Sequence, residues 1–164
     1  MIQKKDLAFR SEPTSSDAGA IEDMVARTGF FTPEEVAIAR ELVDERLQRG
    51  LASGYEFVIA EHQGLMVGYT CYGHIAGTDC SYDLYWIAVD PQQQRSGIGS
   101  ILVEATEREI SSRGGGRIYI ETSGKSQYVP TQGFYRKCGY VLEATLVDFY
   151  RQGDDKLIFV KHVA

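Results

Sequence analysis

A chain of 164 residues, 43% hydrophobic and 24% charged, has the size of one domain over residues 1–164 and can bury a core without disulfide or metal staples. Its net charge of −6 argues against a nucleic-acid surface, which needs clustered Lys and Arg, and is compatible with cationic small substrates. No apolar run approaches a membrane span, no secretory h-region opens the chain, and the three cysteines are an odd number, so a cytoplasmic protein with no membrane partner is expected.

Leu7 to Arg10 reads as a short first strand, and Ser11 to Ser16, with Pro13, as a loop. Ser16 or Asp17 can cap a helix that carries Ile21, Met24 and Val25 at helical spacing and ends at Thr28-Gly29. Thr32-Pro33-Glu34-Glu35 opens a second helix with an N-cap, a proline at the first helical position and acids in the first turn. Its apolar face is Val36, Ala39, Leu42, Val43 and Leu47, and Gly50 closes it. Phe30 and Phe31, between the helices, read first as a plug for the core. From Tyr55 the period becomes that of a strand. Glu56 to Glu61, a His62-Gln63-Gly64 turn and Leu65 to Ile75 form a hairpin, and Tyr82 to Val89 follows after Gly77-Thr78-Asp79.

Trp86 to Val103 reads W-I-A-V-D-P-Q-Q-Q-R-S-G-I-G-S-I-L-V, an apolar strand that breaks at Asp90-Pro91 and passes through a polar turn into a helix. First-turn amides have no partner inside a helix, and the helix dipole adds positive charge there, so an anion is favoured. Gly97 and Gly99, lacking Cβ, ease the turn and let a bulky anion such as a pyrophosphate approach those amides. The dinucleotide pattern G-x-G-x-x-G fails at Leu102. The triphosphate loop suggested by Gly124-Lys125-Ser126 fails because its first glycine would fall on Tyr119. The helix carries Ile98, Ile101, Leu102 and Ala105 on one stripe and ends at Gly114 to Gly116. Ile118 to Glu121 is a brief buried strand, Pro130 to Cys138 a short helix, Tyr140 to Tyr150 a strand, Gly153-Asp154-Asp155 a turn and Lys156 to Val163 a last strand. The order implies one α/β domain with a mixed sheet of about seven strands and about four helices, the anion turn lying at the C-terminal end of a central strand.

The run Q-x-x-G-x-G from Gln94 to Gly99, directly after V-D-P, resembles the coenzyme A motif Q/R-x-x-G-x-G/A of the GNAT superfamily of N-acetyltransferases. Gly133 to Tyr140, G-F-Y-R-K-C-G-Y, resembles that family's closing segment, and the resemblance covers most of the chain from Leu7 onward. It implies a GNAT-like domain with splayed fourth and fifth strands, acetyl-CoA as co-substrate, and transfer of acetyl to a small amine, amino acid or peptide N-terminus in a ternary complex. Trp86, Ile87, Ala88 and Val89 would hold the pantetheine arm. The backbone of Gln94, Arg95, Ser96, Gly97, Ile98, Gly99 and Ser100 would hold the pyrophosphate, and Arg95 adds local positive charge. The family places its general acid at Tyr135. The inter-helix loop with Phe30 and Phe31 borders the acceptor site in the family, and members often pair as homodimers. Transfer of another acyl group, and a non-catalytic acyl-CoA sensor or interaction module, are the alternatives.

Acetyl transfer needs a neutral amine, a held thioester, a stabilised oxyanion and a proton for the departing thiolate. A phenol with a pKa of about 10 can donate to a thiolate of about 8.5. Asp83 or Glu121, on the strands flanking the splay, can accept the amine's proton, although a carboxylate on a strand is most often a solvated face. Asp79, Asp148 and Asp154-Asp155 can draw a cationic substrate to a pocket rim. Cys71, His74 and Cys80 lack C-x-x-C or H-x-x-x-H spacing, so no metal is expected, and Cys138 reads as a small buried hydrophobe. The strand at Tyr140 to Tyr150 is a candidate pairing edge.

Overall fold

A computed structural model describes residues 2–164. Seven strands form one sheet in the order β1-β2-β3-β4-β5-β7-β6, with strands at Ala8–Arg10, Glu56–His62, Leu65–His74, Ser81–Val89, Gly116–Ser123, Val141–Arg151 and Asp154–Val163 for β1 to β7. The helices are α1 (Ser15–Arg27), α2 (Pro33–Arg49), α3 (Ile98–Ser111) and α4 (Val129–Lys137). Among the described residues no helix is long and apolar enough to cross a membrane.

The chain forms two compact units. The first holds residues 2–73 and 86–106. Its hairpin turns at Gln63 and Gly64, both at positive φ, as a two-residue turn matched to the twist of its strands requires. Ile21, Met24 and Val25 of α1 and Ala39 and Val43 of α2 pack on Phe57, Ile59, Tyr69, Cys71 and Ala88 of the strands. Each large buried side chain there contributes about 1.5–3 kcal/mol. Two expectations change. Thr14, not Ser16 or Asp17, precedes α1: the Asp17 carboxylate reaches back to the Thr14 amide at 2.6 Å and takes the Arg10 guanidinium at 2.6 and 2.7 Å. On α2, Leu47 is exposed and Arg46 is buried, because Arg46 donates to Tyr55 O at 2.7 Å and to the Glu12 carboxylate at 3.0 and 3.1 Å.

The second unit holds residues 74–85 and 107–164. β5 pairs with β7 over its whole length, Gly116↔Val163 to Ser123↔Lys156, around Ile118, Ile120 and Phe159. The parallel ladder between β4 and β5 covers only Ser81–Asp83 against Arg117–Tyr119. The expected parting of the fourth and fifth strands follows from that short ladder. Cys138 is half-buried rather than buried, at the end of α4.

Candidate functional site

In the first unit, the turn after β4 is fastened before it reaches the helix. The Asp90 amide donates to Val67 O at 2.9 Å, and the Asp90 carboxylate accepts the Gln92 amide at 2.9 Å. Arg27, at the end of α1, forks onto the same carboxylate at 2.9 and 3.2 Å and is itself held by Asp23 at 2.8 Å. The Arg27 guanidinium keeps the Asp90 carboxyl below the usual carboxylate range. No local pattern points to Arg27, since its partner lies 63 residues away.

Beyond Asp90 the backbone alternates hand. Arg95 has φ 66° and Gly97 φ 83°, both left-handed, with Ser96 between them at negative φ. Such alternation turns successive N–H groups toward one side and makes a concave anion-binding surface. The Ser96 hydroxyl donates to Gln93 O and braces the turn. The backbone bond that closes the first turn of α3 runs from Ile101 N–H to Gly97 O at 3.2 Å, so the amides of Ile98, Gly99 and Ser100 lie ahead of it at the positive end of the helix. A Cβ on Gly97 would meet nothing within 4 Å, so the space over the turn is open. The donor set fits a phosphate or pyrophosphate.

Gly68, on β3 behind this turn, permits a close approach. A Cβ there would lie 2.9 Å from Ala88 O and 2.9 Å from Leu102 Cδ1, so only glycine lets β4 and α3 sit this close to β3. On β4, Trp86 packs against Phe31 with ring centres 4.9 Å apart, and Phe31 meets Phe30 edge-on at 5.3 Å. Phe31 and Trp86 are half-buried against the core while the Phe30 ring is exposed. A depression of about 320 Å³ bounded by Glu12, Pro13, Arg46, Leu47, Gly50 and Leu51 lies elsewhere in this unit, and the Arg46 guanidinium in it is already bonded.

In the second unit, Asp83 and Glu121 lie near one another on β4 and β5, and Lys156 of β7 joins them. Lys156 Nζ is 2.6 Å from Glu121 Oε2 and 4.3 Å over the centre of the Phe149 ring. Asp83 is half-buried: burial first and the charge of Glu121 second raise its pKa, against a smaller lowering by Lys156. Sequence reasoning missed Lys156, because its place beside Glu121 depends on the β5–β7 register, which pairs Ser123 with Lys156.

Three of the acids expected at a pocket rim, Asp148, Asp154 and Asp155, already have partners. Asp148, at φ 54°, accepts the Gly153 amide at 2.7 Å, and its own N–H donates to Asp155 Oδ1 at 2.9 Å. Asp154 is buried, takes the Ser123 hydroxyl, and has Lys125 at 3.5 Å. Tyr135 of α4 is buried at 6% exposure among Phe134, Tyr140 and Phe159. Burial raises its phenol above the ordinary value, so it keeps its proton throughout the physiological range.

Residues 53–142 match the acetyltransferase (GNAT) domain. A solved structure assigned to the GNAT acetyltransferases, from Desulfovibrio desulfuricans, is 47% identical over 96% of this chain and 99% of its own, with a TM-score of 0.94. An aminoglycoside 6′-N-acetyltransferase solved in complex with coenzyme A shares the fold at 21% identity, TM-score 0.78, over 96% of this chain and 97% of its own. Mycothiol acetyltransferase of Amycolatopsis mediterranei is 26% identical over 157 residues, 92% of this chain but 51% of that protein, so the chain spans about half the length of that curated relative.

Proposed function

The chain belongs to the GNAT family of acetyltransferases, and from that premise we propose that it forms one catalytic domain that moves the acetyl group of acetyl-CoA to a primary amine by direct attack, in the cytoplasm. The observation that carries the donor assignment is the left-handed pair Arg95 and Gly97 opening α3, which gathers the amides of Ile98, Gly99 and Ser100 around an open space of the kind a pyrophosphate requires. The backbone of Trp86 to Val89 holds the pantetheine arm beside it.

The acceptor enters as an ammonium and must lose a proton before its nitrogen can attack. Asp83, rather than Glu121, takes that proton, directly or through one water, because the Glu121 carboxylate is already occupied by Lys156 at 2.6 Å whereas burial raises the proton affinity of Asp83. The neutral nitrogen attacks the thioester carbonyl carbon, a C–N bond forms, the nitrogen gives its second proton to solvent, the C–S bond breaks, and the thiolate takes the proton of Tyr135. Tyr135 recovers its proton from solvent, so the balance is ammonium plus thioester giving amide, free thiol and one proton. Phe30, exposed beside Phe31, is an apolar surface for the acceptor's carbon skeleton. The acceptor is a small amine, an amino acid or a peptide N-terminus.

Release of free thiol from acetyl-CoA, followed across a panel of primary amines, tests this reading. Thiol release that depends on the amine, and falls in Asp83→Asn and Tyr135→Phe, supports it. Bound acetyl-CoA with no amine-dependent release from any member of the panel would instead favour a non-catalytic sensor.

A further inference from the structure

The proposed reaction uses Asp83 but does not explain three features beside it: the Glu121–Lys156 pair, the Phe149 ring over that lysine, and the bulge that carries Phe149. Asp83 of β4 pairs with Tyr119 of β5, and side chains alternate along a strand, so Asp83, Tyr119 and Glu121 share one face of the sheet while Ile118 and Ile120 are buried on the other. Diagonal neighbours of this kind have Cβ atoms roughly 7 Å apart. Asp83 and Glu121 are close enough that the charge of Glu121 acts on Asp83.

β7 pairs Lys156 with Ser123, two residues beyond Glu121, and the Lys156 ammonium turns back onto Glu121 Oε2 at 2.6 Å. The β6–β7 ladder breaks after Leu146, the partner of Lys156, and resumes at Arg151, so Val147 to Tyr150 bulge out of it. The bulge sets the centre of the Phe149 ring 4.3 Å from Lys156 Nζ, and Tyr150 braces that ring edge-on at 5.1 Å. A carboxylate on one side and an aromatic face on the other are the surfaces that hold a substrate ammonium. Here a residue of the chain fills the place between them: the Lys156 side chain is only 14% exposed, whereas the Glu121 carboxylate it covers is on a side chain 48% exposed and open to solvent.

We propose that Lys156 is a specificity-determining residue: its ammonium occupies a second cation subsite formed by Glu121 and Phe149, and so restricts the acceptor to amines that bring one ammonium, at Asp83. This rests on the reading of Asp83 as the group that receives the acceptor's ammonium. Tetramethylenediamine, the linear four-carbon diamine, spans roughly 6 Å between its nitrogens, a length suited to two carboxylates on diagonal positions. In the wild type its second ammonium meets Lys156 Nζ at Glu121 and is repelled. With Lys156 shortened to alanine, that ammonium takes the vacated place, and the second cation comes from the substrate instead of the chain.

Tetramethylenediamine and n-butylamine, compared as acceptors for the full chain, test the proposal. In Lys156→Ala the ratio of kcat/KM for the diamine to that for the monoamine should rise about tenfold or more over the wild type, chiefly through a lower KM for the diamine. Adding Glu121→Gln to Lys156→Ala should return the ratio to the wild-type value, and Lys156→Met, which removes the charge but fills the space, should gain less than Lys156→Ala. If the alanine variant fails to fold by circular dichroism, Lys156→Thr, a better strand former, carries the same test. Calorimetric titration with tetramethylenediamine makes the comparison without turnover: tighter binding to folded Lys156→Ala than to the wild type supports the subsite even where no amine is acetylated, an outcome that contradicts only the proposed reaction. An unchanged ratio with unchanged diamine affinity in the folded variant, or a gain that survives Glu121→Gln, would overturn the role given to Lys156.

Discussion

Gly68→Ala tests whether the anion turn depends on the close approach of three elements behind it. The added Cβ would lie 2.9 Å from both Ala88 O and Leu102 Cδ1 and 3.4 Å from Val89 Cα. Two of these neighbours are backbone, and the third, Leu102, is fully buried, so no flexible side chain can yield. Relief requires β4 or α3 to move by roughly half an ångström, and inserting a methyl into such packing costs about 1–3 kcal/mol. At this chain length a loss of about 2 kcal/mol lowers Tm by about 4–8 °C. Because the same shift displaces Ala88 and Val89 on one side and the start of α3 on the other, affinity for acetyl-CoA should fall as well. Scanning calorimetry gives the first quantity and a calorimetric titration the second. Gly19→Ala, where a Cβ meets nothing within 4 Å, is the control. Wild-type Tm and wild-type affinity in Gly68→Ala would refute the reasoning.

Further predictions concern charge and protons. Asp83→Asn should lower kcat/KM by about 10²–10⁴ and abolish the limb on which activity rises with pH, since wild-type activity climbs as the raised Asp83 carboxyl deprotonates. Lys156→Met removes the charge that lowers the Asp83 pKa, so it should move that limb to higher pH in a pH–rate profile. Tyr135→Phe keeps the ring contacts with Phe134, Tyr140 and Phe159 and should reduce kcat about a hundredfold while leaving acetyl-CoA binding and Tm close to wild type. Asp17 is desolvated, yet the Arg10 guanidinium and the Thr14 amide hold its carboxyl below the ordinary value. Its contribution is therefore present above the unfolded pKa of about 3.9 and is lost as pH falls through the lower native value. Asp17→Asn should cost about 2–3 kcal/mol at neutral pH and flatten that acid-side loss in denaturant titrations at stepped pH.

Features set by neighbours in the chain were legible in the sequence. The Gln63-Gly64 turn, the Thr32-Pro33-Glu35 helix start and the passage from Val89 through Gly97 into α3 each depend on a few adjacent residues, and they form where the local chemistry places them. Features that depend on distant partners were not legible. The burial of Arg46 in place of Leu47 is decided by Glu12 and the Tyr55 carbonyl, and the brace on Asp90 by Arg27. The distinction between Asp83 and Glu121 depends on Lys156, whose position follows from strand register. Asp148 and Asp154 read as open acids by composition, but the Gly153 amide engages the first and the Ser123 hydroxyl of β5 the second.

The most direct test of the central claim is a thermal-melt titration with acetyl-CoA, with ATP and NAD as controls. A ligand at 100 times its dissociation constant stabilises a fold by about 2.7 kcal/mol, or about 5–11 °C at this length. The turn at Arg95 to Ser100, together with the backbone of Trp86 to Val89 that holds a pantetheine arm, predicts a shift of that size with acetyl-CoA and none comparable with ATP or NAD. No shift with acetyl-CoA, or a larger one with ATP or NAD, would contradict the donor site and the roles given to Asp83 and Tyr135.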